Sequence, residues 1–261
     1  MDLGITGKTA LVLGAGGGLG GAIAHQLAAE GVCVAVGDRS AEYADTTVEK
    51  IIANGGQAVA ATWDLGDLTQ IDAQVSAIEH ALGPIDILVN NTGGPAPTPV
   101  SGQPAQVWAE QFQAMILSVI QLTDRVLPGM RERGWGRIIT STSSGVISPI
   151  PNLGLSNALR SSLLGWSKTL AGEVGRDGIT SNIVLPGRVA TARITFLDET
   201  RAKREGRPVA EVTAESVAAI PVGRYGEPDE YGQVVTFLAS KAASYITGSV
   251  IRIDGGYVSS I

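Results

Sequence analysis

A single cysteine, Cys33, stands in the 261 residues. One thiol excludes an intramolecular disulfide framework and a cysteine-rich metal centre, and no metal site is expected. Aromatic residues make up 5% and charged residues 17% of the chain, where about 25% charge is usual. Basic side chains number 19 against 25 acidic ones, a formal net charge of −6. The basic excess that a nucleic-acid or anionic-membrane partner needs is missing, so neither partner is expected. No apolar run approaches the ~18 residues of a membrane span, and the N-terminus carries no secretory-type apolar segment. The expected location is the cytoplasm. No composition break, internal repeat or low-complexity tract divides the chain, and one domain over residues 1–261 is expected.

Glycine, by contrast, is plentiful: 34 residues, about 13% where about 7% is average. It shows no collagen-type period and therefore serves turns and close backbone approaches. Seven short β-branched or apolar runs recur along the chain: Thr9 to Leu13, Val32 to Val36, Ala58 to Thr62, Ile85 to Val89, Arg137 to Thr140, Ser181 to Leu185 and Val250 to Ile253. They are continuous rather than alternating, as in a parallel sheet covered on both faces by helices. Helical spacing fills the intervals, with a long helix from about Gln106 to Met130 ended by Gly134. The pattern predicts an α/β, doubly wound, seven-stranded parallel sheet. Only the charged segment Arg193 to Glu215 breaks the rhythm, and residues 190–215 are expected to form a small helical lid over a substrate.

Leu13-Gly14-Ala15-Gly16-Gly17-Gly18-Leu19-Gly20 follows the first strand and opens a helix. Glycines there permit a tight turn, let the main chain approach a pyrophosphate, and let the helix pack on the sheet, while the helix N-terminus offers free N–H groups to the anion. Gly14, Gly17, Gly18 and Leu19 are thus candidate cofactor contacts. Asp38 ends the second strand, placed to accept hydrogen bonds from the adenosine ribose of NAD and to repel a 2′-phosphate. Arg39 beside it could instead pair with the phosphate of NADP. NAD is the expected cofactor, with NADP as the alternative.

With Gly14, Gly18 and Gly20, four further landmarks in order resemble the short-chain dehydrogenase/reductase family, in its 3-oxoacyl carrier-protein reductase-like branch. They are Asp64-Leu65, Asn90-Asn91-Thr92-Gly93, the segment Asn182 to Gly187, and Asp254-Gly255-Gly256. The resemblance implies a Rossmann domain and an NAD(P)-dependent enzyme. In it Asp64 and Leu65 lie near the adenine, Asn91 and Gly93 border the cofactor, and Pro186, Gly187 and Val189 hold the nicotinamide side.

Members of that family use a tyrosine as proton donor, a lysine four residues later, a serine thirteen residues before the tyrosine, and a helix asparagine. Thirteen residues after Ser143 lies Ser156, and thirteen before Glu173, in a match to the family's Leu-Ala-x-Glu, lies Arg160, four beyond Ser156. Seven after Trp108, where the asparagine is expected, lies Met115. The resemblance therefore places serine, arginine and methionine at the tyrosine, lysine and asparagine positions and leaves Ser143 as the family's serine. Ser143, Ser156 and Arg160 are the candidate catalytic residues. A serine hydroxyl is a far weaker acid than a phenol, and arginine cannot release a proton. Losing a general acid worth 10²–10⁴ in rate costs roughly 3–5 kcal/mol of barrier. Elsewhere, Arg188 after Pro186-Gly187 is a candidate for a substrate anion, and Tyr225 reads as a structural turn residue.

The expected function is hydride transfer to or from a ketone or alcohol, a 3-oxoacyl compound or similar small carbonyl, with an atypical proton donor. Two alternatives stand beside it: a non-catalytic NAD(P)-binding sensor or oligomer partner, and an imine or activated C=C reductase. Leu159, Leu163, Leu164, Trp166 and Leu170 give one segment more apolar surface than a single face needs. With the resemblance, this predicts a homotetramer.

Overall fold

The computed structural model describes residues 2–261. Strands β1 (Thr9–Leu13), β2 (Cys33–Asp38), β3 (Gln57–Thr62), β4 (Ile87–Asn91), β5 (Gly136–Ser141), β6 (Ile179–Pro186) and β7 (Val250–Ile253) form one parallel sheet in the order β3-β2-β1-β4-β5-β6-β7. The first part of the chain supplies α1 (Gly18–Ala29), α2 (Ala41–Ala53), α3 (Ile71–Leu82), α4 (Ala105–Phe112) and α5 (Ser118–Arg133). The second supplies α6 (Gly154–Val174), α7 (Ala192–Glu205), α8 (Val209–Ala218) and α9 (Pro228–Leu238). The expected doubly wound α/β domain with seven parallel strands is what the chain forms.

All five residues of β1 are buried. Successive side chains point to opposite faces. Val12 joins Ile23, Leu27, Val36, Val89 and Val235 in one apolar layer, while Leu11 and Leu13 join Leu88, Leu122, Val126 and Ile138 in the other. A strand with both faces in the core has no reason to alternate polar residues, hence the continuous runs. Each fully buried aliphatic side chain contributes about 1.5–3 kcal/mol. Helices α1 and α9 meet backbone to backbone: a Cβ on Gly232 would lie 2.8 Å from the Ala22 carbonyl oxygen.

Strand bounds for β1 and β7 coincide with the apolar runs, but β2 and β4 continue to Asp38 and Asn91, where the main-chain ladder pairs Asp38 with Thr62 and Asn91 with Ser141. Polar residues at these carboxyl ends still pair because the ladder uses backbone groups. The long helix is interrupted, which its apolar periodicity did not predict. A π-helical turn, Gln113–Leu117, joins α4 to α5, and Gly134 ends α5 in the left-handed region at φ 63°. Residues 190–215 hold α7 and much of α8, which are tied by Arg201 to Glu205 and Glu215 and by Arg207 to Glu215. Among the described residues, no helix is long and apolar enough to cross a membrane.

Candidate active site

Strands β1 and β4 are neighbours in the sheet although two strands separate them in sequence. Such a reversal opens a crevice at the carboxyl ends of the strands. A cleft of about 740 Å3 lies there, and Gly14, Asp38, Arg39, Asp64, Leu65, Asn91, Gly93 and Met115 line it. Its first wall is backbone. Gly14 sits at φ 57°, and a Cβ there would lie 2.6 Å from the Asn91 carbonyl oxygen. A Cβ on Gly20 would come within 2.1 Å of the Gly14 carbonyl oxygen, so α1 can start this close to the β1 turn only with glycine. Gly17 and Gly18 are exposed and Leu19 half-buried at the α1 N-terminus, and a Cβ on Gly17 would meet nothing within 4 Å. This leaves open space, a cradle beside a helix N-terminus with the donor chemistry that a phosphate needs.

Two acceptors fix the cradle. One Asp38 carboxylate oxygen takes the Gly16 N–H at 3.0 Å and the other takes the Ser40 N–H at 3.0 Å. The carboxylate is thereby held at the end of β2, with Arg39 exposed beside it. Asn91 donates its side-chain amide to the carbonyls of Leu13, at 3.2 Å, and Gly14, at 3.4 Å, tying the carboxyl ends of β1 and β4 together. Asp64 accepts the Gly66 N–H at 2.8 Å, and Gln113 of the π-turn donates to the Gly66 carbonyl at 2.6 Å. Pro186 ends β6, the Gly187 N–H donates to Ile253, and Val189 is buried against Gly226. A Cβ on Gly187 would lie 2.6 Å from the Asp254 Cα, so this turn is also pressed against backbone.

The other side of the cleft is lined by the loop after β4 and by residues of α4 and the π-turn, from Glu110 to Met115, with α6 packed behind Gly93 through Arg160. Ser143 is half-buried in extended backbone, its hydroxyl accepting the Gly145 N–H at 3.1 Å. Ser156 and Arg160 lie one turn apart on α6, 7% and 6% exposed. Arg160 donates to the carbonyls of Thr92 at 3.0 Å, Gly93 at 2.7 Å and Ser141 at 3.4 Å. It thus links α6 to the strand ends of β4 and β5. Burial, and then the nearby Arg193 cation, bring its pKa down to about 10, so it stays charged at neutral pH. Met115 is buried within the π-turn. Such turns replace regular helix where a side chain has to be re-aimed.

Comparison with known proteins identifies the group. A family profile described as Enoyl-(Acyl carrier protein) reductase matches residues 14–258. The chain is 33% identical over 254 residues to the 3-oxoacyl-[acyl-carrier-protein] reductase FabG of Vibrio cholerae, covering 97% of this chain and 98% of that relative. The chain belongs to the short-chain dehydrogenase/reductase family. Among solved members, L-sorbose reductase from Gluconobacter frateurii, complexed with NADPH and L-sorbose, is similar with TM-score 0.94 and 28% identity over 100% of both chains. A 7α-hydroxysteroid dehydrogenase complexed with NADH and a 7-oxo bile acid is similar with TM-score 0.90 and 28% identity, covering 99% of this chain and 97% of that one.

Several neighbours in this short-chain dehydrogenase/reductase were not legible from sequence. Arg188, a candidate for a substrate anion, is instead paired with the buried Asp198 at 2.7 Å. Asp198 also accepts the Tyr225 hydroxyl at 2.6 Å, so Tyr225 ties α7 to the turn before α9. Tyr231 meets the Ser141 hydroxyl at 2.8 Å, close behind Arg160. It is fully buried and does not line the cleft, and burial pushes its pKa up. A further unanticipated group beside the site is the exposed Arg193, which donates to the Pro95 carbonyl at 2.8 Å.

Proposed function

We propose that this chain is an NAD(P)-dependent oxidoreductase that moves a hydride to or from a ketone or alcohol, a 3-oxoacyl compound or a similar small carbonyl. The observation that carries this reading is the cradle at the switch point. Glycine backbone, a free helix N-terminus and the tethered Asp38 carboxylate stand together, in a family whose solved members include complexes with NADPH and NADH. The residues fit a dinucleotide. Gly14, Gly17, Gly18 and Leu19 would hold its phosphates, and Asp38 with Arg39 the adenosine ribose. Asp64 and Leu65 would lie near its adenine, Asn91 and Gly93 would border the cofactor, and Arg160, Pro186, Gly187 and Val189 would hold its nicotinamide half. When bound, the dinucleotide supplies or accepts the hydride. The fixed carboxylate favours NAD, because a 2′-phosphate would meet a like charge.

In this reading the Ser143 hydroxyl holds the substrate oxygen. Ser156 and Arg160 hold a water that carries the proton, in place of the family's tyrosine and lysine. With Met115 at the asparagine position, the atypical proton donor is the distinctive part of the proposal. A second reading, a dinucleotide-binding protein without turnover, is favoured by the same buried Ser156 and Arg160. NADH binding is measured first by fluorescence titration, followed by oxidation across a panel of ketones. Substrate-dependent oxidation, abolished by Ser143→Ala, supports the enzyme; tight binding without turnover supports the second reading. A Ser156→Tyr, Arg160→Lys double variant that gains ketone reduction would place the departure in those two side chains. The half-buried Leu159, Leu164 and Trp166 on α6 support a homotetramer, which light scattering at micromolar concentration tests directly.

A further inference from the structure

Arg160 and Arg193 come from different elements, α6 and the first turn of α7, yet they converge on one loop. Arg160 donates to the Thr92 and Gly93 carbonyls and Arg193 to that of Pro95. A Cβ built on Gly94, between them, would lie 3.4 Å from one Nη atom of Arg193 and 3.7 Å from one of Arg160. Two guanidinium groups therefore stand on either side of one residue at the lip of the cleft.

Their electrostatic surroundings are unbalanced. The charged or ionisable neighbours that act on Arg160 are Arg193 and Tyr231, and no carboxylate is among them. A buried cation is normally paired, because desolvation without a counter-charge is expensive. Arg188 is met by Asp198, Arg125 by Asp72, and Arg201 by Glu205 and Glu215, whereas the buried Arg137 is held by three carbonyl oxygens and lies over the Trp135 ring. Arg193 also sits at the positive end of the α7 dipole, where a basic side chain is disfavoured unless an anion balances it. The Thr92 hydroxyl in the same loop is buried without a hydrogen-bond partner. Each feature has the same remedy, which is an oxyanion supplied from outside the chain.

We propose that Arg193, with Arg160 behind it, forms a clamp for a carboxylate on the substrate, so that the preferred substrate is an oxo acid or hydroxy acid rather than a neutral ketone or alcohol. This rests on the oxidoreductase reading above and names the substrate class for it. Both arginines spend some donors on the carbonyls of residues 92–95, which orients the planar groups, and keep others free for the ligand. Arginine suits this task because its fork of N–H donors matches a carboxylate. Arg188 cannot substitute, since its charge is already met by Asp198.

Calorimetric titration tests this, with pyruvate, acetoacetate and levulinate each compared with its methyl ester, on protein with and without NAD. Wild-type protein should bind at least one acid about tenfold or more tightly than its ester, a ratio that measures the carboxylate alone. Arg193→Gln should bring that ratio close to one, Arg193→Lys should retain part of it, and the NADH dissociation constant of both should stay within about threefold of wild type. An acid-to-ester ratio near one in the wild type, or a ratio unchanged in Arg193→Gln, overturns the clamp. Loss of NADH affinity in Arg193→Gln with an unchanged acid-to-ester ratio also overturns it and assigns the guanidinium to a cofactor phosphate. Absence of NADH binding in the wild type defeats the oxidoreductase reading separately, because the titrations without NAD still measure the clamp.

Discussion

The two ends of the cleft are built from different materials. At the glycine-loop end the wall is main chain, closed at Gly14 and Gly20 by contacts that no side chain could survive, and the Asp38 carboxylate there, with Arg39 beside it, is tethered by two N–H groups. At the far end two side chains, Arg160 and Arg193, come from two helices to hold the carbonyl oxygens of residues 92–95 beside the cleft, and no carboxylate pairs with Arg160 there. A main-chain wall tolerates almost no substitution and so preserves one ligand. A side-chain wall can exchange its chemistry while the fold stays the same.

That contrast can be broken most severely at Gly20. Gly20→Val places carbon against the Gly14 carbonyl oxygen, where only backbone could yield. We expect NADH affinity to fall at least about 100-fold and stability by about 3 kcal/mol, measured by titration and denaturant unfolding. Binding within threefold of wild type would show that the wall is not rigid. Next is Arg160→Met at the side-chain end. Turnover should fall roughly 100-fold, while stability moves by less than about 2 kcal/mol, because carbonyls losing a donor oppose relief of a buried unpaired charge. A large loss of stability with turnover intact would make Arg160 a structural brace only. Asp38→Ala should sharpen the comparison. It removes an acceptor from the Gly16 and Ser40 N–H groups and the charge that opposes a 2′-phosphate, so NAD should bind about tenfold more weakly and NADP should lose less or gain. Smallest is Tyr225→Phe, which takes one hydroxyl from Asp198. A loss of about 1 kcal/mol, or 2–4 °C in melting temperature, is expected with NADH affinity unchanged.

How much of this was legible in the sequence follows the same division. Thr9–Leu13 was readable to the residue because an apolar run and a strand coincide when both faces are buried, and Val250–Ile253 was readable from its apolar run although it forms a partly exposed edge strand. The glycine loop was readable because backbone geometry restricts the residues that can occupy it. The π-turn at Gln113–Leu117 left no trace, since a shift in hydrogen bonding inside a helix needs no particular composition. The pairing of Arg188 with Asp198 joins the loop after β6 to α7 through tertiary packing, and periodicity is blind to it. Arg193 read only as one charge among many in a polar segment. Its meaning depends on the loop at residues 93–95, nearly a hundred positions earlier in the chain.

The Asn91 amide that spans to Leu13 closes a separation of 78 positions. Strands β1, β2 and β3 can pair with their sequence neighbours, but the crevice does not exist until β4 docks beside β1 across that long loop. Loop closure of this kind costs chain entropy before any contact rewards it, so pairing between distant segments is slow. Recovery of dinucleotide binding during refolding is therefore a clock for one event, the joining of the two halves of the sheet. It should lag behind the appearance of helical signal from α1 and α2.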